Sequence, residues 1–334
     1  MLRTSQVTEE MRLRLPPIRR TLQSFRGEWA VFRNRYTEGR DPFEWVPYET
    51  FRRFYWDRFL RTRLPVVVEF ELNSHCNRRC SYCPVSIEPR PEGVFDEQAY
   101  QNLIDELAHL GYAGQIVPSF YGEPLLDRRI IRQIAYTRAK LPRAYVLMYT
   151  NADLLDADTF VTLIRQGVSL VRISQHDPEP SASIRRLQAF VKDHPEFRRH
   201  LRVVVYATSA GDRHLSSRGG LIRERRVQPY PRYGCFRSRR CTITFDGSLI
   251  LCCEDYYAKY VYGNVVAEGF LNVWNKSLPQ RREIFLGHYT TPICRVCVGL
   301  APTQPQPIPN SSTAACAEQS GMAASQAAEK LGLG

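Results

Sequence analysis

The sequence predicts an α/β protein, a parallel sheet or partial barrel with helices outside, followed by a small second domain that contains a β-hairpin. Three observations predict it. Apolar strand-like runs alternate with helix-length amphipathic stretches between residues 66 and 208, which is βαβ repetition. An Asp246-Gly247 pair stands between two alternating runs further on, a favoured hairpin turn. The chain holds ten cysteines, and nine of them fall into two sets, one inside the alternating region and one around the hairpin.

Residues 1–62 are a basic, aromatic-rich lead. Phe51, Tyr55 and Phe59 recur at the spacing of one helical face, with Arg52, Arg53, Arg58 and Arg61 mostly off it. This predicts a helical extension packed on the outside of the next domain; a lid or substrate-docking arm is the sharper alternative. The core, residues 63–210, carries five predicted strands, at 66–72, 115–120, 145–150, 170–174 and 201–208. Helices are expected at 96–110, 128–140, 156–166 and 181–192, most of them opened by a cap-like Asp or Ser. In such folds ligands gather at the C-terminal ends of the strands. Residues 211–300 form the second domain, and the Pro-, Gln-, Ser- and Ala-rich stretch 301–334 reads as a disordered tail in which Cys316 has no evident partner.

With 334 residues and 43% hydrophobic content, the chain can bury a substantial core. The first 18 residues lack an apolar signal core, and no run approaches the roughly 20 apolar residues of a membrane span. A cytoplasmic protein without membrane contact is therefore expected, and in that setting cysteines serve metals or redox chemistry. A net charge of +12 suits nucleic acid or an acidic substrate. The cations are mostly Arg and spread along the chain, which argues against a nucleic-acid footprint.

Cys76, Cys80 and Cys83 form a C-x3-C-x2-C array directly after the first predicted strand. Three thiolates on one short loop suit an iron-sulfur cluster, because iron in such clusters takes soft sulfur ligands. A structural zinc site needs four ligands, and only His75 stands nearby. Three ligands to a four-iron cluster leave one iron open.

This loop resembles that of the radical S-adenosylmethionine (radical SAM) superfamily, whose three cysteines hold a 4Fe-4S cluster and whose open iron chelates the methionine part of SAM. The resemblance implies a partial (β/α)6 barrel and extends to other strand ends. Tyr82 takes the aromatic position near adenine. The stretch YGEP at 121–124 is similar to the Gly-Gly-Glu motif, so that Gly122 and Glu123 hold the methionine ammonium, with Tyr121 replacing the first Gly. TNADLL is similar to TNG-x-LL, with Asn151 kept and Ala152 in the place of Gly. Ser174 stands where a ribose- or carboxylate-contacting Ser is frequent. The resemblance further implies that Arg185 or Arg186 pairs with the methionine carboxylate, which Arg can do bidentately.

The second cysteine set resembles the auxiliary-cluster module of the same superfamily, of Twitch or SPASM type. Cys235, eleven residues, Gly247, four residues and Cys252 meet its opening pattern, and Cys294 and Cys297 form a closing C-x2-C pair. These four are assigned to one auxiliary 4Fe-4S cluster. The later cysteine series of a full SPASM module is absent, so Twitch fits better. A two-residue turn at Asp246-Gly247 pairs Phe245 with Ser248 and sets Cys241 opposite Cys252, which makes Cys241 the first reserve ligand. Strand alternation turns Cys253 away from Cys252.

The function implied is reductive cleavage of SAM, with an electron from a flavodoxin or ferredoxin. The resulting 5′-deoxyadenosyl radical takes hydrogen from an unactivated C–H bond of a small sugar- or aminocyclitol-like molecule, or of a peptide. Oxidation, epimerisation and peptide cross-linking are the outcomes to separate. Cys253 is the candidate hydrogen donor for epimerisation; its bland reading is a small buried hydrophobe. A zinc-stabilised nucleic-acid-binding protein and a non-catalytic electron carrier are the remote alternatives, and neither has a use for the ordered strand-end motifs.

Overall fold

In the computed structural model, the five predicted core strands and four predicted helices are all present. The structure describes residues 53–60, 63–80, 82–86, 90–206, 216–222 and 234–301. Most of the lead, and the tail with Cys316, lie outside the described residues. Strands β1 (Val67–Phe70), β2 (Gln115–Val117), β3 (Tyr145–Thr150), β4 (Leu170–Gln175) and β5 (Leu201–Val205) pair in parallel, in the order 5-4-3-2-1. Between them run α1 (Glu97–His109), α2 (Ile130–Lys140), α3 (Ala157–Gln166) and α4 (Ala182–Asp193). The expected caps form. Asp96, Asp156 and Ser181 accept from the backbone N–H of Ala99, Thr159 and Ile184 at 2.8, 2.7 and 3.3 Å, so each satisfies an otherwise orphaned donor.

A sixth parallel strand, β6 (Arg240–Ile243), pairs with β1 on the edge away from β2, and β7 (Ser248–Ile250) and β8 (Val261–Asn264) continue the sheet antiparallel. The hairpin segment therefore extends the core sheet instead of standing beside it. A one-turn helix (Val265–Glu268) and two longer ones, α5 (Phe270–Leu286) and α6 (Pro292–Cys297), follow β8.

Strand alternation divides the sheet into two faces. Val68, Phe70, Ile116, Val146, Met148, Val171, Ile173, Cys241 and Ile243 pack with the apolar stripes of the helices in one core. The opposite, inner face carries Val67, Val117 and Leu147 in a smaller apolar cluster, followed toward the strand ends by polar groups. Helix α5 is fastened to this frame by charge. Glu106 of α1 accepts from the N–H groups of Phe270 and Leu271 at 2.8 and 3.0 Å, a carboxylate at the positive end of the helix dipole. The fully buried Arg281 donates to the carbonyls of Arg240 and Ile250 at 2.7 and 3.2 Å and lies over Trp274.

Two expectations need correction. The hairpin loop has three residues, 245–247, with hydrogen bonds from Gly247 N to Thr244 O and from Thr244 N to Ser248 O. Gly247 has φ +86°, the left-handed position of a type I turn with a bulge. Thr242 consequently pairs with Ile250, one residue out of the predicted register, and Cys241 is not opposite Cys252. A slip of one residue exchanges faces, and Cys241 sits fully buried in the helix-side core. It is a packing residue there, apart from the thiols of the hairpin loop. In the lead, Trp56 and Leu60 face inward onto Phe285 and Leu286, whereas Phe59 of the predicted face is exposed. The last five residues of this helical segment, Trp56–Leu60, are wound as a π-helix, which shifts the face that periodicity of 3.6 would select. Phe51 of that face lies outside the described residues.

Candidate functional site

The C-terminal ends of β1, β2 and β3 converge on the Cys76–Cys83 loop. Gly122 has no room for a side chain: a Cβ there would meet the Asn73 carbonyl oxygen at 2.1 Å. This close approach lets Glu123 N donate to His75 O at 2.8 Å and Asn73 Nδ2 donate to Glu123 O at 3.0 Å. The Glu123 carboxylate is 3% exposed. It accepts from Thr150 Oγ1 at 2.7 Å, Asn151 N at 2.8 Å and Leu125 N at 3.2 Å. Burial pushes its carboxyl up to about 7, against the lowering effect of these donors. A carboxylate so held is poised to gain from a cation.

The loop itself is pinned from the β3 and β4 ends. Asn151 Nδ2 donates to Asn77 Oδ1 at 2.8 Å, and Asn77 Nδ2 donates to Asp153 Oδ2 at 3.0 Å. Arg78 binds Asp153 through two nitrogens, both at 2.6 Å, and Asp177 at 2.9 Å. Bidentate pairing fixes orientation as well as position. Asn77 and Arg78 lie inside CNRRC and Asp153 directly follows TNA, so their proximity to the motifs was a signal that the sequence reading left unused. Ala152 has φ +63° and is fully buried. The backbone keeps the left-handed turn that glycine would adopt freely, at about 1–2 kcal/mol for an L-residue.

Tyr82 is hydrogen-bonded to His176 Nδ1, and the His176 ring lies 6.2 Å from that of Tyr206 in a stacked arrangement. Burial, then the charge of Arg78, brings His176 down to about 4, so it is neutral near pH 7. The three rings make a flat aromatic wall beyond β4 and β5. Ser174 lies on the inner face of β4, half-buried. Arg185 and Arg186, by contrast, are exposed on α4, and Arg185 donates to the carbonyl of Pro180. Helix periodicity turns both outward, while Ile184 and Leu187 take the core side, so the structure does not bring this pair to the cluster loop.

The second thiol set gathers where the β7 end, α5 and α6 meet. Cys235, Cys252 and Cys294 pack with Leu251, Ile284, Tyr289 and Val298, and Cys297 is electrostatically coupled to Cys235 and Cys294. Burial raises Cys235 to about 12 and Cys294 to about 11; in the first set it raises Cys76 to about 12. Such thiols ionise when a metal takes the charge. Among the described residues no three His, Cys, Asp or Glu side chains close on a single ion; a cubane cluster, larger than one ion, calls for a wider ring of sulfurs. Soft donors in a dry apolar pocket fit such a cluster.

Between the two sets lies a ring of aromatic and charged groups. Tyr121 OH donates to the Cys253 carbonyl at 2.8 Å, and Arg90 and Arg218 stand 5.5 and 5.4 Å from the Tyr121 ring centroid. Arg90 also pairs with the fully buried Glu71. Glu254, 1% exposed, binds Arg237, accepts from Ser216 Oγ at 2.7 and 2.9 Å and lies 3.9 Å from Arg218. Burial alone would raise its carboxyl, but Arg237 and Arg218 outweigh that and hold it below its ordinary value. None of these charged residues was singled out from the sequence, because their pairings span 17 to 38 residues, beyond any helix or strand period. On the inner face, Glu69 is 7% exposed and accepts from Thr242 Oγ1 at 3.1 Å.

Comparison with known proteins agrees with this geometry. Residues 70–223 match the model of the radical SAM superfamily, and residues 235–298 match that of the SPASM iron-sulfur cluster-binding domain. The chain is 31% identical over 236 residues to an S-adenosyl-L-methionine-dependent 2-deoxy-scyllo-inosamine dehydrogenase of Niallia circulans, covering 69% of this chain and 92% of that one. Two solved structures of BtrN are similar. The complex with AdoMet and 2-DOIA has 28% identity and a TM-score of 0.63, and a selenomethionine form in an open conformation has 26% and 0.54. Each alignment covers 70% of this chain and 92% of the BtrN chain.

Proposed function

The chain belongs to the radical SAM superfamily, and we propose that it abstracts hydrogen from a ring C–H bond of an aminated, polyhydroxylated carbocycle, using one auxiliary 4Fe-4S cluster. It is an enzyme of oxidoreductase type that uses SAM and iron-sulfur chemistry. Cys76, Cys80 and Cys83 would hold the cluster that binds SAM, and Cys235, Cys252, Cys294 and Cys297 the auxiliary one. SAM, once bound and reduced by one electron, supplies the 5′-deoxyadenosyl radical.

The observation that carries the reading is the inner face between the two thiol sets. Gly122, Glu123 and Asn151 form one border, with the Glu123 carboxylate suited to the methionine ammonium. Tyr82, His176 and Tyr206 offer a flat surface for adenine, with Ser174 beside them. Glu69 supplies a buried carboxylate to an amine or hydroxyl of the substrate, as a cationic aminocyclitol requires. The wall excludes bulk water through Tyr121, Phe120 and Tyr256, which protects a reactive carbon radical. The activity named for the relative, dehydrogenation of an inosamine, supports this substrate class over a peptide.

The test is anaerobic reconstitution, iron analysis, and turnover with ring-deuterated 2-deoxy-scyllo-inosamine under a flavodoxin-type reductant. About eight irons per chain, as two four-iron clusters contain, and deuterium transfer into 5′-deoxyadenosine are expected. A zinc-loaded protein that leaves SAM intact under reduction would overturn the proposal.

A further inference from the structure

Resting on that reading, we infer that Arg237, with Glu254 as its counterweight, sets the reduction potential of the auxiliary cluster. It is a positioning residue for charge, acting through the thiol set and not on the substrate. Arg237 lies in a short 3-10 turn, Phe236–Arg239, that starts directly after Cys235, and Ser238 N closes the turn on Cys235 O at 3.2 Å. Its side chain is 16% exposed, and Nη1 contacts both the Glu254 carboxylate and the Cys253 sulfur. Glu254 is tied to the same set from the other side, because its backbone N–H donates to Cys252 Sγ at 3.4 Å. Each of the two charges therefore stands two residues after a cysteine assigned to the cluster, Arg237 after Cys235 and Glu254 after Cys252.

The buried Glu254 carboxylate is held between two guanidinium groups, Arg237 in contact and Arg218 at 3.9 Å, with the neutral Ser216 hydroxyl completing its shell. Its single charge is divided between them. A buried cation is stabilised further by any negative group beside it, and the auxiliary thiols become such a group when they hold a cluster as thiolates. At Cys235, Cys252 and Cys297 burial raises the thiol most, and Arg237 is the cation that works against it at each. Arg218 works against burial at Cys83 of the first set. The Arg237 charge thus belongs to the auxiliary site.

The potential of an iron-sulfur cluster follows its net charge, the hydrogen bonds to its sulfurs and its exposure. An added electron brings one negative charge, which a buried guanidinium beside the sulfurs stabilises and a buried carboxylate opposes. Arg237 draws the potential up, Glu254 trims it, and the pair fixes how readily the auxiliary site accepts an electron. Dehydrogenation makes that acceptance necessary. Hydrogen abstraction from a carbon bearing a hydroxyl consumes SAM and leaves a carbon radical. That radical loses the hydroxyl proton to solvent and one electron to the auxiliary site as the carbon–oxygen double bond forms, and the flavodoxin-type carrier takes the electron away.

The experiment is a redox titration of the full chain carrying both clusters, followed by electron paramagnetic resonance. Arg237→Gln should lower the auxiliary midpoint by about tenfold in the redox equilibrium, near 59 mV for one electron. Glu254→Gln should raise it by a similar factor. Arg237→Lys, which keeps the charge, should stay within about threefold of the unmodified protein, and the midpoint of the cluster at Cys76, Cys80 and Cys83 should move less than about threefold in every variant. An unchanged auxiliary midpoint in Arg237→Gln overturns the inference and leaves the proposed function standing. Shifts of Arg237→Gln and Glu254→Gln in the same direction, as loosened packing gives, overturn it too, and so does a shift in Arg237→Lys as large as that in Arg237→Gln. If Arg237→Gln loses iron, Glu254→Gln decides: a raised midpoint supports the inference, and an unchanged or lowered one overturns it. Absence of a second four-iron cluster from the unmodified protein overturns the underlying reading instead.

Discussion

The two thiol sets are held by different physics. Around Cys76–Cys83 the support is a hydrogen-bonded lattice of short polar side chains and backbone, from Asn73, Asn77, Glu123, Thr150 and Asn151, closed over a glycine that admits no Cβ. Around Cys252–Cys297 the thiols sit in apolar packing, and their loop is braced by Arg237, Arg218 and Glu254. A backbone lattice fixes positions to fractions of an ångström and tolerates little substitution. Apolar packing with a charge pair at its rim tolerates changes of side chain, so the second region is where one member of a superfamily can differ from another. Cys253 stands in that second region.

This contrast can be broken or sharpened by mutation. The largest effect is expected at Gly122→Ala, where the added methyl overlaps backbone: SAM binding should weaken by at least about 1,000-fold, near 4 kcal/mol, read by calorimetry on the reconstituted protein. Binding within tenfold of the unmodified protein would show that the lattice yields. On the auxiliary side, Arg237→Gln leaves the buried Glu254 with less compensation and should cost about 3 kcal/mol of stability, measured by denaturant unfolding. SAM affinity should stay within about threefold; a parallel loss would mean that the two regions are not separable.

Glu123 gives a pH test of intermediate size. With its carboxyl raised to about 7 in the protein, the charge that attracts an ammonium is lost as pH falls through that value. SAM affinity should therefore rise between about pH 6 and 8 by roughly tenfold. Glu123→Gln should flatten the profile at the weak end, and a slope that persists in this variant would assign the titration elsewhere. The smallest effect is expected at Ala152→Gly, where relief of the left-handed turn is offset by loss of a buried methyl. Thermal unfolding should show a change within about 1 kcal/mol, in the stabilising direction; a larger loss would mean that the Ala152 methyl packs more than it strains.

Much of the site was legible because its parts are short and local. The C-x3-C-x2-C loop, the YGEP and TNADLL turns and the spacing from Cys235 through Gly247 to Cys252 each occupy a single stretch of chain. The strand runs and Asp or Ser caps placed each stretch at a strand end. Local pattern failed where geometry turned on one residue. The hairpin loop took three residues instead of two because Gly247 fits a bulge as readily as a tight turn, and this moved Cys241 to the opposite face. In the lead, the π-helical winding of Trp56–Leu60 put Trp56 and Leu60 inward. Arg185 and Arg186 were placed by analogy, and helix α4 turns them to solvent.

The sequence by itself determined the alternation that builds the sheet, the identity of the three thiols at the end of β1 and the grouping of four more around the hairpin, because strand and helix periods and short-range spacings are written in consecutive residues. Only the tertiary structure decided that β6 joins β1 in parallel, which carries the hairpin and its adjacent cysteines onto the rim of the barrel. The meeting of Glu69 with Thr242 followed from that pairing, that of Arg237 with Glu254 from the hairpin itself, and that of Tyr121 with Cys253 from both. Such contacts join distant segments through charge and close packing, and no local period in the chain encodes them.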